Sequence, residues 1–279
     1  MTAPGLPVAP APWNLNGEGW MIPLYLPFST TPIPLPPGAY APLEAGTEAD
    51  QSSRFHGGTG FVMLVRYRAS DVGPYDELIY VPGLFKRPAS DLPDGEYYPA
   101  ITRIYVSTDA SVYNGRRNWG IPKHRADFSF SHPQDQPHVT LVEVSLPVTD
   151  VEAPTRPIFR CALGDSSLMP FTMPISTSWL DIPFVNRILQ GYQATLYQPP
   201  LPSHEDDPAR TASSETFLVK PTANGRSRLA WLAPTSTQDD TDWTGYGNGV
   251  DFPRFEPYSL RLNFHLASFE MQFPIPHQV

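Results

Sequence analysis

Lys123 is the residue of this sequence whose surroundings best suit covalent chemistry. It is one of three lysines, with Lys86 and Lys220, and it follows the largely apolar stretch Trp119–Pro122. An ammonium group beside apolar surface loses hydration, which favours the neutral amine, a usable nucleophile near neutral pH. His124 follows at once and titrates near neutrality, so it can help to keep Lys123 uncharged. The alternative interpretation is an ordinary surface lysine after a proline turn.

A second candidate for chemistry is a carboxylate that a turn delivers onto a strand. Gly73–Tyr75 reads as the turn, and Glu77 stands at the beginning of the apolar run that follows. If the side chain points inward, desolvation makes Glu77 a candidate proton shuttle or a counter-ion to an iminium. If it points outward, Glu77 is an exposed residue of an edge strand, and the pattern leaves both alternatives open.

Other motifs that carry chemistry are missing from the sequence. The seven histidines form no His-x₃-His pair and no Cys/His cluster, so we expect no metal site. No Gly-x-Ser-x-Gly elbow of a serine hydrolase occurs. The glycine-rich run Gly245–Gly249 follows no strand and opens no helix, which predicts a turn. We therefore expect neither a metal nor a cofactor.

Composition narrows the class of protein. The 279 residues include 35 prolines, and this abundance disfavours an all-helical fold. The formal net charge of −9 argues against a nucleic-acid partner. No run of 18 apolar residues and no secretory signal occurs, and Cys161 is the only cysteine. These features predict a cytoplasmic protein without a membrane partner.

Strand-like segments dominate the sequence. They are runs of aliphatic and aromatic residues at Trp20–Leu26, Phe61–Tyr67, Leu78–Val81, Ile101–Val106 and Val139–Leu146. Near the C-terminus apolar residues occupy even positions from Leu260 to Leu266 and odd positions from Phe269 to Phe273. This change of parity predicts a β-bulge where a strand turns the corner of a barrel. We expect a mainly β fold, an antiparallel barrel or cone, with a few short helices.

Helices and long loops complete the expected organisation. A capped turn of helix is predicted over 107–113, ending at Asn114-Gly115 and placing Lys123 at the beginning of the next strand. A second helix is predicted within 178–192. Residues 28–58 and 201–214 are long, polar or proline-rich loops. With no linker visible, we expect one domain over 1–279 that carries these two loops as insertions.

Two motifs resemble a known family. Gly115-Arg116-Arg117 followed by Pro122-Lys123-His124 resembles the segment of acetoacetate decarboxylase-like proteins in which Gly-Arg-Glu precedes Pro-Lys-Lys. Gly73–Glu77 resembles the family's Gly-x-Tyr-x-Glu, and the resemblance covers roughly residues 17–275. It implies the family's β-cone fold, a Schiff base between Lys123 and a ketone, and an active-site role for Glu77.

The sequence departs from the family pattern at three positions. His124 replaces the second lysine of the pair, and Val62 stands where the family has a second active-site glutamate. The family's first-strand arginine falls near Gly17, and no arginine precedes Arg54. Arg116 or Arg117 is a candidate for the missing carboxylate-binding cation.

These residues lead to a functional expectation. We expect a lyase in which an iminium on Lys123 drives decarboxylation, retro-aldol cleavage or dehydration, with Glu77 and His124 as its partners. The predicted substrate-binding residues are Trp20, Val62, Tyr75, Arg116 and Trp119. An apolar pocket of this kind suits a keto acid or bulky ketone of specialised metabolism. The alternative is a barrel that binds a small molecule without covalent chemistry. Exposed strand edges also predict a homo-oligomer.

Overall fold

The structure is a computed structural model that describes residues 5–87, 97–148, 156–184, 194–235, 245–255 and 263–279. The first strands are β1 (Trp13–Leu26), β2 (Phe55–Ala69), β3 (Tyr75–Val81), β4 (Leu84–Lys86), β5 (Tyr97–Pro99), β6 (Arg103–Val106), β7 (Lys123–Arg125) and β8 (Asp127–Ser131). The later strands are β9 (Thr140–Leu146), β10 (Arg156–Asp165), β11 (Met173–Ser176), β12 (Leu196–Gln198), β13 (Phe217–Val219), β14 (Thr222–Ala233), β15 (Asn263–Phe273) and β16 (His277–Gln278). Helix α1 spans Asp109–Trp119, and 3₁₀ turns occur at Ser52–Arg54 and Thr177–Asp181.

One large sheet curls until its two edges meet. Its main path runs β7-β6-β3-β2-β1-β15-β14-β10-β9-β8, antiparallel throughout except for the parallel pair β6–β7. The edge strands β7 and β8 are consecutive in the chain, with Ala126 alone between them, so the two ends of the path must come together. This geometry confirms the expected mainly β, nearly closed barrel.

The two faces of the sheet carry two separate cores. Alternation along a strand sends successive side chains to opposite faces. The inner core has Trp20, Val62, Leu78 and Tyr105 among its members. The outer core lies under α1 and the small sheet β12-β13-β16, and its buried members include Trp13, Val65, Ile104, Val112, Trp119 and Phe217. A catalytic group can therefore face either the barrel interior or the layer beneath α1.

The predicted bulge is confirmed in β15. Leu266 pairs with Gly19 and Phe269 with Gly17, so two residues of β15 oppose one residue of β1. The neighbouring strand β14 shifts its register at the same place, between Arg226 and Ser227. An extra residue of this kind bends a strand and increases its twist, which helps the sheet to close. The residues of the predicted pattern up to position 262 lie outside the described residues.

Helix α1 begins as expected and ends later than expected. Thr108 is the N-cap, and its side chain accepts a hydrogen bond from the Ser111 amide. The predicted end at Asn114-Gly115 is wrong, because the helix continues to Trp119 and is closed by Gly120 at φ 61°. Gly120 takes the left-handed conformation that terminates helices, whereas Gly115 lies inside the helix.

The remaining segments follow the predictions in part. Residues 177–181 of the predicted second helix form a 3₁₀ turn, and residues 185–193 lie outside the described part. Gly245–Gly249 forms bends with positive φ at its two ends, as expected for a turn. Within the described ranges, no helix combines the length and apolar character that crossing a membrane requires.

Candidate active site

Lys123 lies in β7, and its side chain faces the layer beneath α1. It is paired in register with Ile104, a member of the outer core, and its side chain is 6% exposed. The Lys123 Nζ lies 2.8 Å from Glu77 Oε2 and 3.0 Å from Ser111 Oγ. The sheet thus supplies the amine and the carboxylate, and the first turn of α1 supplies the hydroxyl.

Two tyrosines complete the surroundings of this amine. The Tyr67 hydroxyl donates to Glu77 Oε1 at 3.2 Å, and the Lys123 Nζ lies 5.1 Å from the centroid of the Tyr75 ring. Burial and the charge of Glu77 raise the pKa of both tyrosines well above 10.0. Both hydroxyls therefore stay protonated at neutral pH and can donate, but they do not act as bases.

Gly115 gives the lysine side chain its path past the helix. A Cβ atom at Gly115 would lie 2.5 Å from Lys123 Cδ and 2.8 Å from Lys123 Cε. Any larger residue would therefore overlap the aliphatic stem of the lysine. A glycine inside a helix lowers its stability, and here its role is to let the stem of Lys123 pass.

His124 faces the other side of the sheet and belongs to a buried ionic cluster. Its Nε2 lies 2.8 Å from Glu44 Oε2, and Glu44 Oε1 accepts from Arg116 Nη1 at 2.8 Å. Burial would raise the pKa of Glu44, but the hydrogen bond and charge of His124 and the charge of Arg116 together lower it. Burial lowers the pKa of His124 below 6.5. At neutral pH the cluster is thus an ionised carboxylate, a guanidinium and a neutral imidazole.

Arg116 ties both long loops to the lysine segment. Besides Glu44 in the first loop, its guanidinium donates to the carbonyls of Thr211 at 3.0 Å and Pro202 at 2.6 Å in the second loop. It also reaches the carbonyl of Lys123 at 3.5 Å. The side chain of Arg116 is 0% exposed. Its hydrogen bonds are directed at the protein, so it anchors the loops and does not face the Lys123 amine.

The other predicted substrate-binding residues are divided between the two faces. Trp20 and Val62 belong to the inner core, on the opposite face from the Lys123 amine. Trp119 lies in the outer core with its ring nitrogen 2.7 Å from the carbonyl of Pro274. Of this predicted group, the structure brings only Tyr75 into contact with Lys123 Nζ, at 3.5 Å.

The sequence analysis did not predict several residues of the site. Ser111, Tyr67 and Gly115 contact the lysine or its carboxylate, and Glu44 holds His124. Tyr67 is paired in register with Tyr75, so a predicted pairing of β2 with β3 would have pointed to it. The register also places Val65 opposite Glu77. A second carboxylate near the lysine would have to lie on the face of β2 that carries Val65. The residue opposite Glu77 on this face is apolar, so β2 supplies no carboxylate at that position.

Among the described residues, Lys123 belongs neither to a metal-binding cluster nor to the cavity beside α1. In the described part of the chain, no group of three or more His, Cys, Asp or Glu side chains is arranged to hold a metal ion. A cavity of about 570 Å³ lies beside α1 but does not include Lys123; its lining residues are Arg117, Asn118, Phe217, Ile275, Pro276, His277 and Gln278.

Comparison with known proteins identifies the fold. No family profile and no curated protein matches the sequence. The structure is similar to acetoacetate decarboxylase from Legionella pneumophila subsp. pneumophila str. Philadelphia 1, with a TM-score of 0.50, 13% identity, and coverage of 100% of this chain and 92% of that one. It is also similar to a second acetoacetate decarboxylase structure, with a TM-score of 0.53, 10% identity, and coverage of 100% and 94%. The chain has the acetoacetate decarboxylase-like fold.

Proposed function

We propose that this protein is a Schiff-base-forming lyase that acts on a keto acid or a bulky ketone through Lys123. The observation that carries the proposal is the buried contact of 2.8 Å between Lys123 Nζ and Glu77 Oε2. A lysine nucleophile requires a neighbour that removes its proton, and a carboxylate at hydrogen-bond distance is such a neighbour. The fold shared with acetoacetate decarboxylase adds support.

The contacts suggest how the first steps would proceed. Transfer of a proton from the Lys123 ammonium to Glu77 leaves a neutral amine and a neutral acid. The amine attacks the carbonyl carbon of the substrate, and the resulting carbinolamine loses water as Glu77 returns the proton to the departing hydroxyl. Ser111 and Tyr67 hold the two reacting groups in place through hydrogen bonds of 3.0 and 3.2 Å.

The iminium then withdraws electrons from the neighbouring carbon–carbon or carbon–oxygen bond. In decarboxylation, the bond to the carboxylate breaks, its electron pair forms an enamine, and carbon dioxide leaves. Protonation of the enamine and hydrolysis of the new iminium release the product and restore the amine. Because Arg116 is committed to Glu44 and to loop carbonyls, the proposal assigns no carboxylate-binding role to it. Retro-aldol cleavage and dehydration by the same iminium remain within the proposal.

Reductive trapping tests this proposal. The protein is incubated with acetoacetate, benzoylacetate or benzylideneacetone in the presence of sodium cyanoborohydride and digested with trypsin. An alkylated lysine resists trypsin, so the labelled peptide would run from 118 to 125. We expect saturable labelling of Lys123 by at least one carbonyl compound, together with release of a product.

The chain contains its own control for non-specific alkylation. Lys220 pairs with Asp181 on the surface, and its side chain is 48% exposed. A reagent that attacks amines by exposure alone would label Lys220 ahead of Lys123. Labelling of Lys220 without Lys123, or full turnover by Lys123→Ala, would refute the proposed lysine chemistry.

A binding protein without covalent chemistry is the second candidate. It is favoured by the 6% exposure of Lys123 and by the cavity beside α1, whose lining includes Phe217 and His277 and excludes the lysine. In this case Lys123 and Glu77 form a structural ion pair. Ligand binding that persists in Lys123→Ala, with no turnover by the wild-type protein, would favour this alternative.

Homo-oligomeric assembly is part of the proposal. Large apolar side chains are exposed along one short stretch of chain, at Leu168, Phe171, Met173, Trp179, Ile182 and Phe184. Apolar surface that is concentrated in this way is typical of protein interfaces. We expect Phe171→Asp to lower the mass measured by light scattering after size-exclusion chromatography. The single domain, the cytoplasmic location, and the lack of nucleic-acid or membrane partners stay predictions.

A further inference from the structure

Arg103 is a buried cation whose charge has no carboxylate partner among the described residues. Arg103 is 1% exposed, and its Nη1 has no hydrogen-bond partner among the described residues. The Arg103 Nε donates to the carbonyl of Asp251 at 2.5 Å, and the guanidinium carbon lies 5.4 Å from the centroid of the Tyr105 ring. An arginine keeps its proton in proteins, so this positive charge cannot be lost to lower the cost of burial.

Arg116 is a buried arginine of the same molecule whose charge is neutralised and whose hydrogen bonds are made. Its guanidinium is equally buried and is neutralised by Glu44 at 2.8 Å, with carbonyls accepting its remaining hydrogen bonds. Arg103 has a carbonyl where Arg116 has a carboxylate. Buried charges in proteins are normally paired, so the difference points to an anion-binding role for Arg103.

The acidic groups near Arg103 are directed elsewhere. The Asp251 carboxylate accepts from Asn248 Nδ2 at 3.1 Å and lies 3.7 Å from Arg156 Nη2. Glu44 is held by Arg116 and His124. His124, the other titratable group in this region, has a pKa lowered first by burial and further by the charges of Arg116 and Arg103. No described side chain is thus placed to neutralise Arg103.

The surroundings of Arg103 are aromatic and apolar. Register places Arg103 beside Tyr80 on the inner face of the sheet, and Tyr105 follows two residues later on the same face. The ring of Phe252 lies 5.8 Å from that of Tyr80. The Tyr105 hydroxyl lies beside the guanidinium and donates to the same Asp251 carbonyl at 2.9 Å. A planar guanidinium fork among aromatic rings suits a carboxylate carried on an apolar body.

We propose that Arg103 is the anchor of a second ligand site, inside the barrel, for an organic carboxylate with an apolar body. The site lies on the opposite face of the sheet from the Lys123 amine, because Arg103 faces inward while Ile104, the partner of Lys123, faces outward. The carboxylate accepts from Nη1 of Arg103, and its apolar part packs on the rings of Tyr80 and Phe252. The site is therefore independent of the chemistry proposed for the lysine.

Calorimetric titration of the full-length protein with benzoate and hexanoate tests this site. We expect one saturable site per chain, weakened about 10- to 100-fold in Arg103→Met, as for loss of a charge-assisted hydrogen bond. Arg103→Met leaves the Asp251 carbonyl bonded to Tyr105, so the fold retains that contact. Arg68→Met removes an arginine of β2 whose side chain is 59% exposed and is the matched control. Lys123→Met separates this site from the lysine site, and both controls should bind benzoate like the wild type.

Three results would overturn the placement of the site at Arg103. They are the lack of saturable benzoate and hexanoate binding, unchanged affinity in Arg103→Met, and loss of affinity in Lys123→Met with retention in Arg103→Met. Phosphate binding as tightly as benzoate would show that the apolar body contributes nothing, which contradicts the ligand class. If circular dichroism shows that Arg103→Met is unfolded, Arg103→Lys replaces it. This variant keeps the charge without the fork, and unchanged affinity in it would also overturn the proposal.

Discussion

Substitution of Gly115 by alanine would test whether the packing of the Lys123 side chain against α1 controls the reactivity of the Lys123 amine. The new Cβ would lie 2.5 Å from Lys123 Cδ, whereas ordinary contacts begin near 3.4 Å, so the lysine stem must move by about 1 Å. The Nζ would then leave hydrogen-bond distance of Glu77, from which it is now 2.8 Å.

The expected effects on stability and on reactivity have different sizes. Replacing glycine by alanine inside a helix gains about 1 kcal/mol, and weakening a buried charged hydrogen bond costs about 1–3 kcal/mol. The unfolding free energy should therefore change by no more than about 2 kcal/mol. A misplacement of about 1 Å can slow a reaction about 100-fold, so we expect labelling of Lys123 to slow by this factor.

Two measurements separate these effects. Urea unfolding gives the change in stability, and the rate of cyanoborohydride labelling gives the reactivity of the amine. Ala110→Gly is the matched control, because it lowers helix propensity in α1 without adding an atom near the lysine. A folded Gly115→Ala protein that labels at the wild-type rate would refute the argument that Gly115 sets the position of Lys123.

Three further substitutions test the surroundings of the lysine. Glu44→Gln leaves Arg116 buried without its counter-charge and should lower the unfolding free energy in urea by about 3–5 kcal/mol, whereas Glu48→Gln in the same loop should have little effect. Because burial lowers the pKa of His124 below 6.5, the unfolded chain binds more protons as the pH falls, so stability should decrease from about pH 6.5 downward. His124→Gln keeps a donor for Glu44 without titrating and should remove the loss that begins at about pH 6.5, leaving the further loss below pH 4.5 that the lowered pKa of Glu44 predicts. Ser111→Ala removes the hydroxyl 3.0 Å from the lysine amine and should slow labelling about 10-fold at unchanged folding cooperativity.

Each of these predictions has a result that contradicts it. Equal stability of Glu44→Gln and Glu48→Gln would show that the ionic cluster contributes nothing to folding. If stability depends on pH in His124→Gln as it does in the wild type, groups other than His124 cause the loss of stability at acid pH. Wild-type labelling by Ser111→Ala would leave Glu77 as the group that positions the amine.

The sequence predicted the elements whose signal is local. Alternating apolar residues placed the strands, and the parity change near Ala267 located the bulge, because both signals depend on which face each residue takes. The N-cap at Thr108 was equally local. The end of α1 was not, since Gly115 looks like a helix terminator until the lysine stem beside it is known.

The site was predictable only where its residues lie on motifs. Lys123 and Glu77 were found and lie in contact, although 46 residues separate them. The partner of His124 was missed because Glu44 lies 80 residues away in a loop without regular structure. Trp20 and Val62 look like pocket residues in sequence, but only the strand register shows that they face away from the amine. Such long-range pairings are set by the closure of the sheet.

The pairing of β1 with β15 has a consequence for how the protein is made. The two strands are neighbours in the middle of the sheet, and Trp13 is paired with Phe273. During synthesis β1 leaves the ribosome some 250 residues before β15. Until β15 follows, the edge of β1 that pairs with it is unpaired and can pair with other chains. A chain that stops before β15 would leave β1 and β14 without their shared neighbour. We expect such fragments to aggregate, and release of β15 from the ribosome to be the step that commits the barrel to its closed form.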